Sequence, residues 1–380
     1  MKVISGGVTA PQGFRANGLY CGIKRSGKFD LSLIASDTPA VAAGVWTKNS
    51  IKAAPLVVSQ KHLANNRAQA IVTNSGNANC FTGSFGLMYA RKTAEVMAKH
   101  LALKPQDVIV ASTGIIGKPL PFQKIKDAAP KLVGGLTQKG GHRAARGILT
   151  TDLKTKEIAV RFRLGPRAVT LGACAKGSGM IEPNMATMLA FITTDACLAP
   201  GLLKAALKEA VADTFNMITV DGCMSTNDMV TVMANGKAGN RMIKKQGRDY
   251  KTFCAALRFA CLDLAKKIVA DGEGATKFIE IHVTGARTEP QAKQAGKAIA
   301  NSVLVKTAAY GSNPNWGRVA AAVGSLGLKG VTEEHLKIHF SPFNKKDIKI
   351  AVDLNIGSAQ ATVYTSDLSH EYVRINGKYN

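Results

Sequence analysis

The stretch K-G-S-G-M-I-E-P-N-M-A-T-M-L-A-F-I-T-T-D-A, Lys176–Ala196, opens on a glycine-rich turn and closes on an apolar run that predicts a buried strand. Thr187 stands at the junction, directly after the small residue Ala186. Two readings of that threonine are open. In the first it is a β-branched residue that suits a strand and packs there. In the second it is a self-processing nucleophile whose hydroxyl attacks the Ala186 carbonyl, carrying the backbone through an ester that water cleaves. Thr187 would then be a new N-terminus, with its α-amine available as base for its own hydroxyl. An α-amine of ordinary pKa, about 7.7–8.0, is partly unprotonated near neutral pH.

This stretch resembles the ornithine acetyltransferase (glutamate N-acetyltransferase) family, in which the K-G-S-G-M-I-x-P-N-M-A-T-M-L block carries the self-cleavage site. The likeness extends to other blocks in family order: G-V-T-A-P-Q-G-F at Gly7–Phe14, N-S-G-N-A-N at Asn74–Asn79 and S-T-G-I-I-G at Ser112–Gly117. F-N-M-I-T-V-D-G at Phe215–Gly222, S-T-N-D at Ser225–Asp228, A-D-G-E-G-A-T-K at Ala270–Lys277 and N-P-N-W-G-R at Asn313–Arg318 continue the series. Several long blocks in order are far more specific than one short motif.

The chain has 380 residues, enough for a large core and two lobes on the length prior. At 46% hydrophobic and 20% charged its composition is that of a soluble globular protein. The start, M-K-V-I-S-G-G-V-T-A-P, lacks the basic-then-apolar pattern of a secretory signal and the Arg- and Ser-rich character of a transit peptide. No apolar run approaches the roughly 20 residues of a membrane helix. The expected location is the cytoplasm. Seven dispersed cysteines without a C-x-x-C read as free thiols. The net charge of +25 raises nucleic-acid binding as a class. The basic residues are nevertheless spread along the chain, and aromatics make up only 6%, too few for a base-stacking platform.

Short strands are expected at Asp30–Ser36, Val41–Thr47 and Ala70–Thr73, and a helix at Leu87–Leu101. Val108–Ala111 predicts a strand running into Ser112-Thr113-Gly114, where glycine lets backbone N–H groups face a ligand and the Thr113 hydroxyl adds a donor. Taken alone this is a strand-ending turn; the resemblance implies that Thr113 and Gly114 form the oxyanion hole. A helix is expected at Phe122–Leu132 and a strand end at Ile148–Asp152. In the T-T-D stretch the resemblance implies a substrate contact by Thr150 or Thr151, although L-K-T-K follows where relatives carry a T-x-P-K-like sequence. Strands at Ile158–Arg163 and Ala168–Cys174 lead to Lys176, which by resemblance meets an anionic group of the substrate.

Beyond Thr187 a helix is expected at Pro200–Phe215, followed by strands at Ile218–Asp221 and Met229–Val232 around a polar loop. Asp221 and Asp228 read as braces of that loop, since the ligand set of a hard cation is not evident. Helices are expected at Tyr250–Ala270 and Gln291–Val305, with a strand at Phe278–Thr284. A hairpin is expected from Ile348–Leu354 and Gln360–Thr365. His335 and His339 have the i,i+4 spacing of zinc ligands, but L-K-I-H-F alternates like a strand and supplies no third ligand. Glu273, in a glycine turn, is by resemblance the carboxylate that binds the cationic side chain of ornithine. Asn376 matches an asparagine that contacts substrate; the hydroxyl residue that ends the family pattern would fall one position beyond Asn380.

Irregular alternation of strands and helices argues for a layered α+β protein. The resemblance implies a mixed α/β sandwich of the ornithine acetyltransferase / DmpA-like type. It would be self-cleaved into chains 1–186 and 187–380, with two of each assembling together. The implied activity is transfer of acetyl from N2-acetylornithine to glutamate. No metal or resident cofactor is expected, and whether acetyl-CoA also serves as donor is left open. A self-processing aminopeptidase or amidase is the alternative enzyme, and a basic nucleic-acid binder the remote one.

Overall fold

The computed structural model describes residues 1–182 and 188–378. The chain forms two compact units. Unit 1 comprises Met1–Gly177, Asn184–Asn216 and Met224–Leu264; unit 2 comprises Ser178–Pro183, Met217–Cys223 and Ala265–Asn380.

Unit 1 is built on a sheet with nine strands among the described residues: β1 (Lys2–Ile4), β2 (Phe14–Leu19), β3 (Leu31–Trp46), β4 (Arg67–Asn77), β5 (Val108–Ile115), β6 (Lys156–Leu164), β7 (Arg167–Lys176), β8 (Leu189–Thr194) and β9 (Met229–Ala234). The order is β1-β6-β7-β8-β9-β3-β4-β5, with β2 beside β3. The β4–β5 and β8–β9 pairs are parallel. Side chains alternate across a strand, so successive residues enter different layers. Ile34, Ile71 and Ile109 join a core with Phe14, Phe191 and Met233. Leu33, Val72 and Val110 face a second core with Met97, Ile125 and Leu132, carried by helices Gly83–Leu101 and Phe122–Gly134. Both faces are covered, so β8, L-A-F-I-T-T, and β9, M-V-T-V-M-A, are buried throughout.

Unit 2 carries a four-stranded sheet of β10 (Phe278–Ala286), β11 (Lys337–Phe340), β12 (Asp347–Asp353) and β13 (Ala359–Ser366), in the order β11-β12-β10-β13. Ile348, Ile350 and Val352 point to one side of β12 and pack with Ile279, Ile281 and Ile299. Exposed residues alternate with them, as expected of a sheet covered on one face. Among the described residues no helix is long and apolar enough to cross a membrane.

Several expectations need correction. The two strands expected at Asp30–Ser36 and Val41–Thr47 are one strand, β3, with a register shift between Ala35 and Ala40. Asp37-Thr38-Pro39 between them includes a proline, which is tolerated at a bulge, and this bulge lets one strand pair with β2 first and β9 afterwards. The expected hairpin does not form. β12 and β13 do not pair: β10 lies between them, parallel to β12 and antiparallel to β13. Ile148–Asp152 is a turn after a short helix, Gly141–Gly147, with the Ile148 side chain sunk in the core. Ile218–Asp221 forms no strand among the described residues; Ile218 makes an isolated bridge to Tyr364. The expected helix Gln291–Val305 is two helices, Glu289–Asn301 and Val303–Tyr310, because the Ser302 hydroxyl accepts from Val305 N and caps a new start.

Candidate active site

β4 and β5 run parallel, so N-S-G-N and S-T-G-I finish side by side. Asn74 lies opposite Ser112, Ser75 opposite Thr113 and Gly76 opposite Gly114, with a register shift at Gly76–Asn77. Gly114 has φ +132, and a Cβ built on it would stand 2.4 Å from Gly76 C and 2.5 Å from Asn77 N. Those are backbone atoms of a paired strand, so only glycine fits. Taken alone, Ser112–Gly114 suggests a turn that ends the strand; it is instead part of β5, which continues to Ile115. Thr113 is half-buried, and its hydroxyl has no hydrogen-bond partner among the described residues.

Asparagine side chains hold this strand end by substituting for backbone partners. Asn74 Nδ2 donates to Asn77 O at 2.8 Å, and its Oδ1 accepts from Ser112 Oγ at 2.5 Å. Asn77 Oδ1 accepts from Asn79 N at 2.8 Å. The buried Asn227 amide donates to Ala78 O at 2.6 Å and to Ser112 O at 2.8 Å. Asn227 belongs to the S-T-N-D block, which explains what that block does in unit 1.

The second feature of unit 1 is the carboxylate of Asp152, whose side chain is fully buried. Its Oδ1 accepts from Lys156 Nζ and Gly177 N, each at 2.7 Å, and its Oδ2 accepts from Thr150 N at 3.0 Å. Lys176 Nζ lies 3.8 Å from Oδ2. Burial alone would raise the Asp152 carboxyl, but the ammonium groups of Lys176 and Lys156 outweigh it and hold the group well below the usual carboxylate range. Asp152 thus gathers two of the expected substrate residues, Thr150 and Lys176. Thr151 is half-buried beside them. Removing one partner of a buried ion pair costs about 3–5 kcal/mol. Asp152→Ala is therefore expected to lower the unfolding free energy by that amount, read as a drop in the denaturant midpoint. Because the folded carboxyl is depressed, its contribution is present above the ordinary value of about 4 and is lost as pH falls below it. The stability gap between wild type and Asp152→Asn should narrow in acid, measured by denaturation from pH 7 to pH 3.

Unit 2 brings together two further residues expected to contact substrate. Glu273 is buried, its N–H donates to Ser178 O at 2.9 Å, and its Oε2 accepts from Asn376 Nδ2 at 2.8 Å. A Cβ on Gly179 would stand 2.3 Å from Glu273 Oε2, so the second glycine of K-G-S-G is the surface on which the carboxylate rests. Asp221, expected to brace its loop, accepts there from Cys223 N at 3.1 Å, and it also accepts from Met180 N at 2.6 Å, Ile181 N at 2.9 Å and Tyr372 Oη at 3.3 Å. Burial, followed by the charge of Asp221, pushes the Tyr372 phenol well above its usual range, so it is a neutral donor. His335 pairs with Thr332 and His339 lies on β11. Among the described residues no three His, Cys, Asp or Glu side chains gather as a metal-binding group. Ala186 and Thr187, the expected cleavage pair, lie outside the described residues.

The sequence pattern of the ArgJ family matches residues 15–344 and 341–380. The chain belongs to the ArgJ family. The arginine biosynthesis bifunctional protein ArgJ of Symbiobacterium thermophilum is 44% identical over 400 residues, covering 100% of both chains. The ArgJ of Geobacter sulfurreducens is 43% identical over 389 residues, covering 97% of this chain and 99% of its own. Among solved structures, the ornithine acetyltransferase of Mycobacterium tuberculosis complexed with ornithine is 39% identical. It covers 49% of this chain and 99% of its own, with a TM-score of 0.46. Membership establishes an arginine-biosynthesis acyltransferase and accounts for the blocks from Asn74 to Arg318 as ArgJ sequence.

Two contributors carry no sequence signal of their own. Lys24 and Lys156 are lysines in polar contexts, a type that is ordinarily exposed. Lys156 is instead 1% exposed, and Lys24 is half-buried.

Proposed function

We propose that this ArgJ chain transfers the acetyl group of N2-acetylornithine to glutamate by a ping-pong route through an acetyl-Thr187 ester. The observation that carries the activity is the full-length match to arginine biosynthesis bifunctional ArgJ proteins. The Gly76–Gly114 strand end and the Asp152 and Glu273 clusters support the residue assignments.

Maturation comes first. The Thr187 hydroxyl adds to the Ala186 carbonyl, the C–N bond breaks as the ester forms, and water hydrolyses it to an Ala186 carboxylate and a free Thr187 α-amine. Residues 1–186 and 187–380 then form separate chains, two of each assembling together in the cytoplasm. In the transfer the α-amine takes the hydroxyl proton while Oγ attacks the acetyl carbonyl carbon. Thr113 and Gly114 hold the oxyanion. The C–N bond to ornithine breaks, the leaving amine takes the proton back, and the ester remains. The unprotonated amine of glutamate attacks that ester, the C–O bond breaks, and N-acetylglutamate leaves with the Thr187 hydroxyl restored.

Lys176, with Thr150 or Thr151, meets the anionic group of the amino acid. Glu273 and Asn376 meet the cationic side chain of ornithine. The ester must outlast ornithine release, which requires limited access of water. Acetyl-CoA is proposed as a second donor, in keeping with the word bifunctional in the relatives' names; no resident cofactor is needed. The test is production of N-acetylglutamate from glutamate with N2-acetylornithine, with acetyl-CoA, and with water as sole acceptor against peptide amides. Transfer in the first arm is the expected result. Amide hydrolysis without transfer would replace the proposal by an amidase.

A further inference from the structure

Lys24 joins the two features of unit 1. The turn that carries it is fixed by the buried Asp30, whose carboxylate accepts from Cys21 N and Ile23 N at 2.7 Å and from Lys24 N at 2.9 Å. Asp30 O in turn accepts from Ser75 N at 2.8 Å, and Ser75 Oγ donates to Gly147 O at 2.7 Å. From that turn the Lys24 stem runs over Gly76: a Cβ built there would stand 2.9 Å from Lys24 Cγ. Gly76 is the residue on which Gly114 closes. The Lys24 ammonium then donates to Leu149 O at 2.7 Å and Phe29 O at 2.6 Å. Leu149 immediately precedes Thr150, whose N–H is held by Asp152.

We infer that Lys24 is a positioning residue for acetyl transfer, fixing the Thr150–Asp152 turn to the strand end that carries Thr113 and Gly114. The inference rests on the acyl-transfer reading for its kinetic consequence, but the fixing itself is a property of the fold. Burial lowers the Lys24 ammonium to about 8; the carboxylates of Asp30 and Asp152 favour its charge, while Lys176 and Lys28 oppose it. Lys24 therefore shares the electrostatic surroundings of Lys176 without needing to touch substrate. A methionine at this position keeps most of the stem over Gly76 and removes both hydrogen bonds and the charge.

The test uses the full chain with Lys24→Met, Lys24→Arg, and Lys24→Met in a Thr150→Ala, Thr151→Ala background. Hydrogen exchange of residues 149–152 is followed by mass spectrometry, beside kcat and KM for N2-acetylornithine. Lys24→Met is expected to speed exchange of that turn at least tenfold, with helix 83–101 unchanged, and to raise KM at least tenfold. Lys24→Arg should restore much of both. In the double-alanine background the further cost of Lys24→Met should fall below twofold, a coupling that general destabilisation would not produce. Unchanged exchange at 149–152, or a kinetic cost that persists undiminished in that background, would overturn the inference. Where Lys24→Met does not fold, Lys24→Gln provides the same comparison. A wild-type chain without transfer would remove the functional reading, and the exchange result would still decide whether Lys24 fixes the turn.

Discussion

Thr187→Ala is expected to leave one uncleaved 40.0 kDa chain with no acetyl transfer, because in the proposed route a single hydroxyl performs both reactions. The first reaction attacks the Ala186 carbonyl and the second attacks the acetyl carbonyl. Alanine has no oxygen for either, and without cleavage there is no α-amine to serve as base. Loss of a covalent nucleophile typically costs on the order of 10⁶ in kcat. Thr187→Ser separates the two roles, since it keeps an oxygen while changing its rotamer freedom; partial cleavage with reduced transfer is the expected outcome. Gel electrophoresis, with N-acetylglutamate measured on the same sample, reads both. A processed and active Thr187→Ala protein would end the nucleophile assignment.

Gly114→Ala carries the second large effect. The backbone there has φ +132, which side-chain-bearing residues rarely adopt, and the new Cβ would meet Gly76 C at 2.4 Å. Neither the neighbouring strand nor the asparagine-held turn after it can give way cheaply, because Asn74, Asn77 and Asn227 pin both. The strand end must therefore shift, moving the Gly114 N–H and the Thr113 hydroxyl away from the place proposed for the oxyanion. Loss of one such donor costs about 10²–10³ in kcat. Thr113→Val should reproduce much of that loss without the strain, since it removes the hydroxyl and keeps the branched shape. Equal kcat for wild type and Thr113→Val would remove the hydroxyl from the oxyanion hole.

The apolar strands and long amphipathic helices were legible because burial period and length agree in them. Helix Gly83–Leu101 contains all of the expected Leu87–Leu101, and β8 lies within the apolar run after Thr187. Errors arose where local chemistry and tertiary pairing diverge. Asp37-Thr38-Pro39 carries the residues of a turn, yet the neighbouring strands hold it as a bulge within β3. Asn355–Ser358 resembles a hairpin loop, but β10, from far earlier in the chain, takes the place between β12 and β13. Ile148-Leu149-Thr150 has strand-forming residues, but Asp152 is pulled to Lys156 and the segment closes as a turn.

The candidate site divides in the same way. The assignments of Thr113, Gly114, Lys176, Glu273 and Asn376 rest on the resemblance, because each stands in a block of family words. Asp152 was visible only as part of T-T-D, and its partners Lys156 and Gly177 meet it through folding. Lys24 had no signal. Its function depends on the close approach of its stem to Gly76, 52 positions away, and no local pattern encodes that distance.

The most direct measurement is the intact mass of the purified wild-type protein under denaturing conditions. Two fragments are expected, one ending at Ala186 and the other beginning with Thr187, with masses summing to the 40.0 kDa chain plus one water. A single 40.0 kDa species that persists through long incubation while acetyl transfer proceeds would contradict self-processing at Thr187.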